Sequence, residues 1–140
     1  MRPLVDKNQS EYGDDTTRFI HLDIIQDPLP AADLWFCRDC LIHLFFADIR
    51  AAINNFLASE IQYLLTTVHS ECRENTEIQT GEFRLLDLEL PPFSFPEPLQ
   101  YVDDSADNLP ARAMALWSRE TLRSALAMNE FYAVSDPATE

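Results

Sequence analysis

Apolar positions in this chain come in short blocks whose spacing switches from strand-like to helix-like and back. Phe19, Ile20, Leu22 and Ile24 form a compact run after the turn-type residues Gly13, Asp14 and Asp15, which predicts a buried strand over Arg18 to Ile24. Beyond the turn at Asp27, Pro28, Leu29 and Pro30, the consecutive Leu34, Trp35 and Phe36 predict a second strand over Asp33 to Cys37. From Phe45 to Glu60, Phe46, Ile49, Ile53, Phe56 and Leu57 recur mostly at steps of three and four residues, the spacing of one helical face. A helix is expected there. Tyr63 to Val68, within a segment that begins at Ile61, is aromatic and β-branched and too short for a helix, so a third strand follows. Strand, helix, strand on this rhythm implies a parallel crossover unit, and the fold class is α/β.

The last third changes character. Phe83 to Leu90 and Arg112 to Trp117 read as strands on either side of a loop through Pro91, Pro92, Pro96 and Pro98, which proline bars from a central strand. Leu99 to Val102 adds a short edge segment. Ser118 is a suitable N-cap for a helix from Arg119 to Met128, with Glu120 in its first turn.

At 140 residues the chain is expected to be a single domain spanning 1–140. Its 46% hydrophobic content contains no apolar run near the roughly 20 residues a membrane span requires, which predicts a soluble protein. Met1 to Asp15 is polar and acidic, without the apolar stretch of a secretory signal, so a cytoplasmic location is expected. In that reducing compartment Cys37, Cys40 and Cys72 are expected as free thiols. A formal charge of −14 disfavours nucleic acid and anionic membranes and favours a basic protein partner. Asp103, Asp104 and Asp107 are the candidate partner-binding cluster.

The pairs Cys37/Cys40 and His69/Cys72 have ligand types and spacing that zinc accepts, but Cys37 ends an apolar strand and the intervening residues lack a turn-forming glycine. No metal is expected. His43, beside Leu41, Ile42 and Leu44, and His21, inside a predicted strand, read as structural. No serine or cysteine is paired with a base in a nucleophile motif, so no catalytic residue is assigned.

Three segments in order carry a family resemblance: Phe19-Ile20-His21-Leu22-Asp23-Ile24, Asp33 through Leu44 (DLWFCRDCLIHL), and Tyr63-Leu64-Leu65-Thr66-Thr67. They resemble the third, fourth and fifth strands of class I S-adenosylmethionine-dependent methyltransferases. The likeness continues through Phe83-Arg84-Leu85-Leu86-Asp87-Leu88, Pro91-Pro92-Phe93 and Ala115-Leu116-Trp117-Ser118, and covers about residues 4 to 125. It implies a partial Rossmann-like sheet, three parallel strands plus a C-terminal antiparallel pair, flanked by helices. It also implies that Asp23 meets the adenine amino group and that Cys37, Arg38 and Asp39 face the methyl donor. The family's first strand, glycine-rich turn and second strand have no counterpart, since Gly13 and Gly81 are the only glycines and neither stands between a strand and a helix start. The expectation is therefore a truncated methyltransferase-like domain without a cofactor of its own. It would act as a non-catalytic acidic module or inhibitor that engages a basic partner, a nucleic-acid-binding protein being one form. The alternative is a methyltransferase portion that binds S-adenosylmethionine only when another chain or a missing half completes it. An uncovered sheet edge would also permit homo-oligomers.

Overall fold

Four strands and three helices build the part of the chain that the computed structural model describes, residues 1–133. They are α1 (Arg2–Tyr12), β1 (Leu34–Cys37), α2 (Phe46–Ala58), β2 (Tyr63–Val68), β3 (Gln100–Asp103), β4 (Ala113–Ser118) and α3 (Arg119–Leu126). Short 3-10 turns occupy Leu41–His43 and Glu130–Tyr132. The strands form one sheet in the order β1-β2-β4-β3. β1 and β2 are parallel, whereas β4 is antiparallel to both β2 and β3. Two reversals restore direction, so β3 runs the same way as β1 and β2 although β4 separates it from them.

The register decides which side chains share a face. Trp35 and Cys37 lie level with Leu64 and Thr66, which in turn lie level with Trp117 and Ala115, so these alternate positions point to one side. That side is the core. Helix α2 turns Ile49, Ala52, Ile53 and Phe56 onto it, and α3 contributes Leu122 and Leu126. Burying each aliphatic side chain of this size is worth about 1.5–3 kcal/mol, so one helical stripe of four residues goes far to fix α2 in place. Ser118 caps α3 as expected, its hydroxyl accepting from the Thr121 N–H at 3.1 Å. The N-terminus of α2 is capped from a distance, by the Glu77 carboxylate at 3.0 Å from the Phe46 N–H.

Helix α1 buries no residue, and its Lys7–Glu11 ion pair sits on solvent. The sequence carried no apolar stripe there to announce it.

Two expected strands are corrected. Residues 18–24 make no ladder, and the expected set of three adjoining parallel strands reduces to the single β1–β2 pairing. The backbone there is satisfied otherwise: Asn55 of α2 donates to the Ile24 carbonyl at 2.9 Å and to the Asp27 carbonyl at 2.6 Å, locking the segment to a helix. Residues 83–90 keep the strand-like alternation, with Arg84, Leu86 and Leu88 buried, but their partners are isolated backbone groups, the His69 and Phe95 N–H groups donating to the Leu86 and Leu88 carbonyls at 2.8 Å, together with side chains. The Leu86 N–H donates to His69 Nδ1, while Asn75 accepts from the Asp87 N–H and donates to the carbonyls of Asp87, Leu90 and Pro91.

Among the described residues no helix covers the opposite face of the sheet. Leu34, Phe36, Tyr63 and Val102 project from it with 44, 58, 40 and 48% of their surface exposed. A shallow groove of about 380 Å³ runs across this face between Leu34, Tyr63, Leu65, Val102 and Leu116. A second groove of about 610 Å³ follows β1, bounded by Ile20, Leu22, Ile24, Leu29 and Trp35. Among the described residues β1 pairs only with β2, and its outer edge is free.

Candidate functional site at the carboxyl rim of the sheet

Because β1, β2 and β3 run the same way, their carboxyl ends meet at one rim, the place where open α/β sheets hold ligands. Four segments arrive there: Arg38-Asp39 after β1, His69-Ser70 after β2, Asp103-Asp104 at the end of β3, and Arg112 just before β4.

Charge fixes their arrangement. Arg112 Nη1 donates to both oxygens of Asp39, at 2.9 and 3.1 Å, while its Nε reaches the Asp104 carbonyl at 2.8 Å. Arg38 forks onto Asp104, Nε to Oδ2 at 2.9 Å and Nη2 to Oδ1 at 3.2 Å. Two guanidinium groups and two carboxylates thus neutralise one another, with the hydrogen bonds from Arg38 holding the Asp104 carboxyl below the ordinary carboxylate range. Asp39 adopts φ 53°, a left-handed conformation unusual for a residue with a side chain, and its N–H donates to the Thr67 hydroxyl at 2.9 Å. Thr67 and Arg112 together hold it there.

Beside this cluster His69 is buried, and its Nδ1 accepts the Leu86 N–H at 3.2 Å, which places the ring proton on Nε2 in the neutral form. Burial pushes its pKa below the usual histidine value, favouring that neutral form. A cavity of about 240 Å³ lies between His69, Ser70, Asp87, Glu89 and Tyr101. The Tyr101 hydroxyl donates to Glu89, and burial followed by that carboxylate raises the phenol above its ordinary range.

The residues singled out in the sequence divide. Arg38, Asp39 and Asp104 come together, although the sequence assigned the first two to cofactor and the third to a partner. Asp104 is therefore a structural member of the cluster, while Asp103 and Asp107 remain exposed. Asp23 lies apart in the loop before β1, its carboxylate accepting from the Ile25 N–H at 2.9 Å and the Gln26 amide at 3.2 Å. Asp23 thus closes its own turn, and both Asp39 oxygens are held by Arg112. Cys37 is buried and Cys40 half-buried on either side of the turn after β1, whereas Cys72 turns its thiol to the carbonyls of Glu74 and Leu85. Among the described residues no three His, Cys, Asp or Glu side chains converge as metal ligands. Sequence reasoning missed Arg112 and Thr67 at this rim, and it weighed His69 only as a zinc ligand. One signal was present for Arg112: with 10 basic residues against 24 acidic ones, each arginine is in demand as a partner.

The chain matches no protein-family model, no curated protein and no solved structure. No helix among the described residues is long and apolar enough to cross a membrane.

Proposed function

We infer that this chain is a protein-binding half-sheet: a methyltransferase-like scaffold, non-catalytic by itself, that a basic partner completes by adding to β1 and covering the bare face. The observation that carries this reading is the continuity of the free β1 edge with the exposed Leu34, Phe36, Tyr63 and Val102. An unpaired strand edge beside an apolar face is a template for another chain. The charge of −14 supplies the preference for a basic partner and repels further copies of the chain. The acidic cluster enters less directly than the sequence suggested, because Asp104 is already neutralised by Arg38 and Arg112.

A second reading is methyl transfer by a completed assembly in which the partner brings the cofactor-binding half. What supports it is the resemblance together with a mixed α/β sheet that holds one adjoining parallel pair, β1–β2, and an antiparallel β3–β4 pair. Titration calorimetry with S-adenosylmethionine separates the two. The isolated chain should show no binding tighter than about millimolar. A micromolar dissociation constant abolished by Asp23→Ala would establish a cofactor site within this chain and overturn the first reading.

A further inference from the structure

Three consecutive residues of β1, Leu34, Trp35 and Phe36, border the groove of about 610 Å³ beside the sheet. Successive side chains of a strand point to opposite faces, so a groove that touches all three runs along the strand's edge and not over one face. That edge is the free one. Its hydrogen-bonding groups follow from the ladder on the other side. The Asp33 carbonyl accepts from the Tyr63 N–H at 3.1 Å, and alternate residues of a parallel pair face the same neighbour, so Trp35 and Cys37 also turn to β2. Leu34 and Phe36 therefore aim their N–H and C=O groups outward, into the groove.

The opposite wall is built from Arg18, Ile20, Leu22 and Ile24. These are alternate positions, one face of an extended segment, and Asn55 anchors that segment to α2 through the Ile24 and Asp27 carbonyls. One wall thus offers peptide donors and acceptors and the other a row of apolar side chains, the two things an added strand requires. A small-molecule site would bring several polar groups together, whereas Arg18 is the only charged residue on these walls. We propose that the groove is the slot for one extended segment of the basic partner. The segment pairs with Leu34 and Phe36, sets alternate apolar side chains against Ile20, Leu22 and Trp35, and carries lysine or arginine at the end beside Asp33 and Glu60. Asp33 immediately precedes β1 and Glu60 lies just before β2, so the parallel pairing puts both exposed carboxylates at the same end of the slot. The four residues of β1 set the length of the ladder at about 13 Å, from about 3.3 Å per residue. The slot rests on the protein-binding reading of the free edge and names the part of the partner that fills it.

The test titrates two synthetic peptides, Lys-Lys-Val-Ser-Val-Ser-Val and Val-Ser-Val-Ser-Val-Lys-Lys, into the isotope-labelled full chain and follows its amide resonances. Each peptide sets its lysines at the amino end of β1 in one of the two strand directions. One of them should give saturable shifts at Leu34, Phe36, Ile20 and Leu22, with a dissociation constant below about 1 mM. A paired strand turns only every second N–H toward β1. N-methylation of one alternate set of its residues should therefore weaken binding about tenfold or more, while methylation of the other set leaves it nearly unchanged. Ile20→Ser, at a wall residue 47% exposed, and Asp33→Asn should each weaken binding several-fold, the second only at low salt. Should either variant unfold, the two N-methylated peptides on the wild type still decide. Equal binding by both methylated forms overturns the strand pairing. Shifts confined to Tyr63, Leu65 and Val102 overturn the slot and leave docking on the bare face standing, whereas no shift anywhere with either peptide overturns the slot and the protein-binding reading together.

Discussion

Arg112 grips both carboxylate oxygens of Asp39, at 2.9 and 3.1 Å, across 73 positions of sequence. The pair closes the rim of the sheet by tying the second residue after β1 to the residue that precedes β4. Arg112 is the better shielded of the two arginines, its side chain 15% exposed against 43% for Arg38. Arg112→Gln should therefore cost about 1–3 kcal/mol in urea unfolding, the range for buried or half-buried charge-assisted hydrogen bonds. Arg38→Gln should cost less than about 1 kcal/mol, as for exposed ion pairs. Equal losses would mean that shielding does not set the strength of the cluster.

The cluster gives stability a definite pH dependence. The folded-state pKa of Asp104 is depressed, so its contribution is fully present above the unfolded value near pH 4 and is lost as pH falls through the lower folded value. His69 is also depressed, by burial, and because it is a base its contribution is full above the unfolded value near 6.5 and declines as pH falls below that. Urea midpoints measured from pH 8 to 3 should decline in two stages. Asp104→Asn should flatten the lower stage and leave the upper one in place.

Thiol reactivity should sort by environment. Iodoacetamide labelling of Cys40 should rise through about pH 7, while Cys72, held above the ordinary thiol range, stays slow at neutral pH. At pH 7 the rate ratio should be about tenfold or more in favour of Cys40. Peptide mapping of partly labelled protein reads it directly, and preferential labelling of Cys72 would contradict the arrangement of the turn.

The two sheet faces should respond oppositely to substitution. Leu64→Ala, on the helix-covered face with no exposed surface, should destabilise by about 2–5 kcal/mol. Phe36→Glu, on the bare face, should leave circular dichroism and urea midpoint nearly unchanged. Sedimentation velocity on the wild type should show association that strengthens with added salt, since screening weakens the repulsion between acidic copies, and Phe36→Glu should abolish it. A wild type that stays monomeric at high salt and high concentration would show that this face is not adhesive.

Asp103 and Asp107 can be tested without disturbing the cluster. Changing both to Asn should alter stability by less than about 0.5 kcal/mol, because both side chains are exposed. Association with a basic model polypeptide such as polylysine should slow several-fold in stopped-flow mixing at low salt. Unchanged kinetics would leave the apolar face alone as the docking surface.

Local pattern by itself determined α2, β1, β2, β4 and the capped start of α3, because each depends on the spacing of a few adjacent side chains: Ile49, Ala52, Ile53 and Phe56 on one stripe, or Ser118 three residues before Thr121. It also marked Arg38 and Asp39 as chemically placed at the end of a strand. Tertiary structure decided whether an apolar run acquires a ladder. Residues 18–24 and 83–90 have strand-like patterns, but their backbone groups go to scattered partners, among them the Asn55 and Asn75 side chains and the His69 and Phe95 N–H groups, and a strand exists only when one neighbouring strand takes them up in a ladder. It likewise decided that Asp104 belongs with Arg38 and Arg112, an arrangement that needs β4 inserted backwards between β2 and β3. Spacing along the chain encodes which face a side chain takes. Which charges meet across 66 or 73 residues is set by strand order, and that emerges only when the sheet assembles around its core.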